Sequence, residues 1–171
     1  SLKGPVIAIT GSSTKSTTSG LLAHVLAGSG KVKAQIFQNT VDHLPKFMLR
    51  GRQDQDYTVL ELGVGAVGTM LPMAQVVRPD LSIVTMIGLE HYSAFRSREA
   101  VAAEKGILVD FLQPGGKALL NADDDLAMAM SARTRAEIVT FGQSAAAHYR
   151  LIDAECRLPE PMRMTVACKR G

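Results

Sequence analysis

Two cysteines are all that the chain contains, and Cys156 and Cys168 have neither the spacing nor the neighbours of a zinc site. Their places in alternating apolar and polar segments predict buried thiols rather than a disulfide. No apolar run approaches the ~20 residues of a membrane span, and no charged-then-apolar leader opens the chain. The reading is therefore a soluble cytoplasmic protein with no membrane partner. An excess of one charge is also missing. Nineteen basic residues stand against 16 acidic ones, for a formal net charge of +3. Spread along the chain without a basic stripe, they do not indicate nucleic acid, although the small excess suits a phosphate-bearing ligand. No internal repeat or low-complexity linker is visible. The histidines His24, His43, His91 and His148 lie in unrelated contexts, and no Ser/His/Asp order assembles around them. That argues against hydrolytic nucleophile chemistry.

What is present is enough apolar material for one well-buried domain: 171 residues, 46% hydrophobic and 20% charged, too apolar for disorder. Short apolar, partly β-branched runs recur at Val6–Thr10, Lys33–Phe37, Thr58–Leu62, Leu81–Ile87, Ala118–Asn121 and Glu137–Phe141. Helical periodicity fills Ser16–Ala27, Gly68–Val77, Arg96–Phe111 and Leu126–Ala132 between them. The alternation predicts an α/β fold with a doubly wound, mostly parallel sheet, the helices supplying the crossovers that parallel strands require. His148–Cys156 and Met162–Cys168 change to apolar–polar alternation around Leu158-Pro-Glu-Pro161, which predicts an antiparallel hairpin appended at the C-terminal end. Met70, Met73, Met86, Met128, Met130, Met162 and Met164 are expected to fill gaps in the core.

In open α/β sheets ligands bind beyond the carboxyl ends of the strands, so the residues just after each strand carry the functional reading. After the first strand comes Gly11-Ser-Ser-Thr-Lys-Ser-Thr17, a phosphate-binding loop opening a helix. Backbone N–H groups and the positive helix end would surround phosphates there, Lys15 adding a point charge and the Ser16 hydroxyl a ligand for Mg²⁺. Thr14 stands where such loops carry glycine, and a β-branched residue tolerates positive φ poorly. Glu61 ends the third strand and is read as a metal ligand beside Ser16; the alternative is a carboxylate capping a neighbouring helix. His91, in Gly88-Leu-Glu-His91 after the fourth strand, offers an imidazole to a second divalent ion, or is an ordinary hydrogen-bonded histidine. Lys105, on the helix that follows, has Glu104 as its expected partner. Phosphoryl transfer aided by metal ions suits this set, because it asks the protein mainly for positioning and charge neutralisation.

Taken in order, Ile9-Thr-Gly-Ser-Ser-Thr-Lys-Ser-Thr17, Val59-Leu-Glu-Leu-Gly63, Arg78-Pro-Asp80, Val84-Thr-Met-Ile-Gly-Leu-Glu-His91, Ala103-Glu-Lys-Gly106 and Leu120-Asn-Ala-Asp-Asp124 resemble the central ATPase domain of the Mur ligases. The likeness runs from about Pro5 to Phe141 and continues weakly through the hairpin. Within the family these segments look most like the enzymes that add D-alanyl-D-alanine to a UDP-N-acetylmuramoyl tripeptide. Cyanophycin and folylpolyglutamate synthetases share the core pattern.

The resemblance implies a P-loop fold and a reaction in which ATP phosphorylates a substrate carboxylate and an amine attacks the acyl phosphate to form an amide. The partners so implied are small molecules, a UDP-linked muramoyl peptide and an amino acid or dipeptide. By position, Gly11, Ser12, Ser13, Thr14, Lys15, Ser16 and Thr17 would bind ATP, with Lys15 on the β- and γ-phosphates. Ser16 and Glu61 would hold one Mg²⁺ and His91 a second. Lys105 matches a lysine that CO₂ carbamylates in many members, which turns a cation into a carboxylate ligand for that second ion. Asn39 matches an asparagine near the γ-phosphate. Two departures stand out, Thr14 for glycine and Glu90 where aspartate often precedes the histidine. Family members also carry an N-terminal UDP-substrate domain, a later helix near adenine and a C-terminal domain that closes the site. These residues show none of them, so the expectation is a truncated central domain that binds nucleotide weakly and does not turn over alone. A nucleotide-binding module that has lost ligation is the alternative from another class.

Overall fold

Fully buried strands read as continuous apolar runs, and Val6-Ile-Ala-Ile-Thr10 is such a run. In the computed structural model, which describes residues 4–36, 44, 47, 54–91, 93–157 and 159–169, it forms β1 (Val6–Thr10), buried along its whole length. It lies inside the sheet because apolar side chains emerge on both of its faces. The elements that follow are α1 (Lys15–Ala27), β2 (Val32–Gln35), β3 (Tyr57–Glu61), α2 (Met70–Val77), β4 (Leu81–Val84), α3 (Arg98–Asp110) and β5 (Lys117–Asn121). After these come α4 (Asp125–Ala129), a 3₁₀ turn (Met130–Arg133), β6 (Glu137–Gly142), β7 (Tyr149–Glu155) and β8 (Arg163–Cys168).

The strands make one sheet in the order β2-β3-β1-β4-β5-β6-β7-β8. All neighbours are parallel except β7 and β8. Ile7, Ile9, Val59 and Ile83 face α1, whose Leu22, Ala23 and Leu26 cover them. The opposite face packs on α2, α3 and α4, with Ala8, Leu60, Val84 and Leu120 against Met70, Met73, Val101 and Leu108. In α2 the buried residues are Met70, Met73, Ala74 and Val77, the spacing of a single helical stripe. Helices therefore cover both faces, as the doubly wound reading expects. After β1 the chain goes to β2 at one edge, comes back to β3 beside β1, and then crosses to the other side of β1 as β4, so the carboxyl end of β1 is a topological switch point.

β7 pairs with β6 only through Phe141–Tyr149 and Gly142–Arg150, so the hairpin runs on beyond the carboxyl end of β6. Most of its side chains are exposed, and this corrects two expectations. Cys156 and Cys168 are free but exposed, because the alternation that suggested a buried face belongs to a ribbon covered on neither side. Met162 and Met164 are exposed on the same ribbon, as is Met86 beyond β4, whereas Met70, Met73 and Met130 are buried as expected. β4 also stops at Val84 rather than Ile87, since its partner β5 pairs no further than Leu120 with Val84. Residues 85–91 must find other partners for their backbone groups.

Candidate functional site

The loop between β1 and α1 is held by side chains and carbonyls of the segment after β4. Ser12 N–H donates to the Met86 carbonyl at 2.8 Å, the Ser12 hydroxyl donates to Gly88 O at 3.1 Å, and the Thr85 hydroxyl donates to Ser13 O at 2.7 Å. Gly11, at φ 142, lies so close to Thr85 that a Cβ there would come within 2.0 Å of Oγ1. Only glycine fits this approach.

Thr14 occupies the left-handed region, φ 61 and ψ 4, immediately before the first residue of α1. A left-handed residue followed by a right-handed one turns successive N–H groups into a concave nest that suits an anion. Helix α1 adds its own free N–H groups, since Thr14 makes no side-chain cap to it. The threonine thus takes the conformation that phosphate loops ordinarily give to glycine, and its hydroxyl turns back to Ser13 O. A β-branched residue held there costs about 1–2 kcal/mol. Thr14→Gly is accordingly expected to raise stability by up to about 1 kcal/mol after the entropy of glycine is subtracted. Urea unfolding measures it, and a loss of stability would show that the exposed hydroxyl bond outweighs the strain.

Glu61 is 3% exposed and accepts the Ser16 hydroxyl at 2.9 Å. The end of β3 and the first turn of α1 thus bring together two residues 45 positions apart. Their oxygens are hard donors of the type Mg²⁺ takes. Among the described residues no group of three or more His, Cys, Asp or Glu side chains could hold a metal ion. Lys15, at the start of α1, is half-buried. Its charge reaches Lys105 electrostatically.

Lys105 is 0% exposed. Its Nζ donates to Gly11 O at 2.9 Å and lies 2.6 Å from Glu90 Oε1. Burial, the largest influence, pulls this ammonium below the usual lysine value; Glu90 pulls it back, and Lys15 lowers it further. The expected partner Glu104 is engaged elsewhere. Its Oε2 accepts Gly68 N–H at 2.9 Å and its Oε1 accepts Met70 N–H at 2.7 Å. Consecutive residues on a helix point ~100° apart, so Glu104 faces α2 while Lys105 faces the β1–α1 loop.

His91 is exposed at φ 45, in the loop that also carries Glu90. Among the described residues its ring has no hydrogen-bond or ion-pair partner, so it is near the Glu90–Lys105 pair in sequence but not joined to it. Asn39 lies outside the described residues. A pocket of about 320 Å³ adjoins the loop, lined by Thr14, Met86, Ile83, Leu119, Asn121 and Phe141. Apolar walls with few polar groups at the carboxyl ends of β4, β5 and β6 suit a planar base.

The reading from sequence passed over Asn121 and Asp124 as functional residues. Asn121 Nδ2 donates to Thr85 O at 2.8 Å. Asp124 Oδ2 accepts Ile87 N–H at 2.7 Å, while its Oδ1 caps α4 through Leu126 and Ala127 N–H, each at 3.0 Å. An aspartate just before a helix is a readable cap signal, but its contact with the β4 loop is long-range and has no local signature.

Comparison with known proteins adds to this geometry. The model of the Mur ligase middle domain matches residues 9–160. The UDP-N-acetylmuramoyl-tripeptide--D-alanyl-D-alanine ligase of Mycobacterium tuberculosis is 37% identical over 136 residues, which is 78% of this chain and 26% of that protein. The UDP-N-acetylmuramoylalanine--D-glutamate ligase of Solibacter usitatus is 35% identical over 141 residues, 82% of this chain and 30% of that protein. The chain thus spans between a quarter and a third of the length of these relatives. Among solved structures, MurF from Acinetobacter baumannii superposes with a TM-score of 0.87 at 25% identity, covering 98% of this chain and 36% of that one.

Proposed function

Since the chain belongs to the Mur ligase middle-domain family, we propose that it is the ATP-binding central domain of a cytoplasmic carboxylate–amine ligase acting on a peptidoglycan precursor. The observation that carries this reading is the convergence on one loop of the Thr14–Lys15 nest, the Ser16–Glu61 oxygen pair and the buried Lys105 at Gly11 O. In this proposal the precursor carboxylate takes the γ-phosphoryl group of ATP and ADP leaves. An amine, D-alanyl-D-alanine, then attacks the acyl phosphate, forms the amide and expels phosphate.

Each residue has a stated part in this proposal. The N–H groups of the nest and of the first turn of α1 cradle the phosphates, and Lys15 neutralises the β- and γ-oxygens. Ser16 and Glu61 would hold Mg²⁺, which would spread the charge of the transferring phosphoryl group. His91 is assigned to a second Mg²⁺, with Lys105 as the carbamylation site. Burial favours the neutral amine of Lys105 that attacks CO₂; the N–C bond forms, one C–O π pair moves to oxygen, and the nitrogen's proton passes to Glu90, whose Oε1 lies 2.6 Å from Nζ. Asn39 is assigned to the γ-phosphate. The pocket beside Thr14 takes the adenine end.

The test is phosphate release from Mg²⁺-ATP by the intact protein with UDP-N-acetylmuramoyl tripeptide, with and without D-alanyl-D-alanine, beside Lys15→Ala. Release that needs both substrates, and falls by about 10²–10³ in the variant, is the expected result. Release with another amine would move the assignment to a sister ligase. ATP binding with no release under any acceptor would leave a nucleotide-binding module.

A further inference from the structure

Residues 85–91 continue past the last paired residue of β4, and their backbone groups are tied alternately to two sides. Toward the phosphate loop, Met86 O and Gly88 O accept from Ser12 N–H and the Ser12 hydroxyl. Toward β5, α3 and α4, Thr85 O accepts from Asn121, and Ile87 is held at both of its backbone groups. Its N–H donates to Asp124 Oδ2 at 2.7 Å and its carbonyl accepts Arg98 Nε at 2.8 Å. Arg98 Nη2 and Asp124 Oδ2 are themselves 3.6 Å apart, so cation, carboxylate and the backbone of one residue form a closed ring. Three residues further on stands Glu90, the partner of Lys105, and then His91.

We infer that Arg98 and Asp124 are positioning residues that grip Ile87 at its N–H and carbonyl and so fix the loop that presents Glu90 and His91 to the phosphate site. The inference rests on the ligase reading for what the loop presents, but not for the grip itself. The grip is more than helix capping. One carboxylate oxygen of Asp124 suffices for the first turn of α4, and the other is directed to a buried N–H 37 positions away. Arg98 is 52% exposed and lies at the start of α3, where a cation meets the positive end of the helix and is not favoured by it. Its Nε reaches inward to a carbonyl that no strand pairs. The contacts of Arg98 and Asp124 go to Ile87, to each other and to the first turn of α4, so their effect on chemistry passes through the loop.

The experiment uses Arg98→Ala and Asp124→Asn in the intact protein. Asparagine keeps the shape and one acceptor oxygen, so it can cap α4 or accept from Ile87, but not both. Arg98→Ala removes a half-exposed side chain and is the safeguard should Asp124→Asn fold poorly. Three readouts are taken: amide hydrogen exchange over residues 86–91, the Mg²⁺ concentration needed for nucleotide binding, and kcat against KM for ATP. The expected result for both variants is faster exchange confined to the loop, with 125–129 still protected in Arg98→Ala. The Mg²⁺ requirement should rise or kcat fall by about 10–100-fold, as when residues behind a metal ligand are removed, while KM for ATP stays within about twofold. Unchanged exchange over 86–91 in Arg98→Ala would overturn the inference. So would a lowered Tm with kcat, KM and Mg²⁺ requirement as in the wild type. If the wild type neither binds nor hydrolyses ATP, the ligase reading fails, and the exchange measurement alone decides whether the grip holds the loop.

Discussion

Lys105→Met is expected to lose about 3 kcal/mol of stability and, under the ligase function proposed above, to release no phosphate. The ammonium is wholly buried and holds two acceptors, Gly11 O and Glu90. Removing one member of a buried ion pair typically costs 3–5 kcal/mol because the other charge is left unpaired. The Glu90 side chain is 17% exposed and regains some hydration, which places the loss near the lower end. Against a total stability of about 5–15 kcal/mol this is a large fraction. Urea unfolding of Lys105→Met, Glu90→Met and the double variant separates the causes. The double variant removes both charges and is expected to recover most of the stability, but not activity. If it is no better than Lys105→Met, the loss comes from packing. If Lys105→Met equals the wild type, the pair contributes nothing to folding.

The same comparison has a pH dependence whose sign follows from the lowered value of Lys105. Burial first, and Lys15 in addition, push it below 10.5 against the pull of Glu90. Between the lowered value and 10.5 the unfolded chain therefore binds more protons at this residue than the folded one. Stability of the wild type relative to Lys105→Met rises with pH across that window and is flat below it.

Periodicity and strand-end position were enough to read the architecture. β1, β5 and β6 lie where apolar runs meet Gly11, Asn121 and Gly142, β3 lies where one ends in Glu61, and α2 shows its stripe at Met70, Met73, Ala74 and Val77. That Ser16 and Glu61 lie at the same edge of the sheet was also legible, since one follows a parallel strand and the other ends one; that the two strands are neighbours comes from the sheet order. What was not legible depends on rotation and distance. Glu104 is next to Lys105 in sequence yet serves another helix. The hairpin alternates like a half-buried ribbon, but what a ribbon packs against is not written in its own residues, and Cys156 and Cys168 prove exposed. Thr14 was legible as a departure from glycine. That the loop keeps its shape around it depends on the three hydrogen bonds from Ser12 and Thr85, each of which joins the loop to a residue beyond the end of β4.

Glu104→Ala is expected to cost about 3 kcal/mol, and Glu104→Gln about half of that. Helix α2 begins without a cap of its own, since Thr69 is already helical at φ −82 and ψ −27 and its side chain makes no cap bond. The donors Gly68 N–H and Met70 N–H instead go to the two oxygens of Glu104, a residue of α3 that is 4% exposed. Hydrogen bonds to a charged group are worth about 1.5–3 kcal/mol each, and the buried Met70 N–H would be left without an acceptor. The carboxylate also faces the positive end of α2, which adds a smaller favourable term. Glutamine retains one acceptor and presents an amide N–H to the other donor, hence the intermediate loss. The consequence reaches the site, because α2 follows the Leu62–Thr69 segment that leaves Glu61, and Leu62 and Val64 pack in the same core as Met70. Glu104→Gln should therefore weaken Mg²⁺-dependent nucleotide binding as well as stability, whereas a cap that served folding alone would leave nucleotide affinity unchanged. Calorimetric titration of Mg²⁺-ADP into the wild type and Glu104→Gln, at a temperature where both are folded, distinguishes the two. Equal affinities would confine Glu104 to folding.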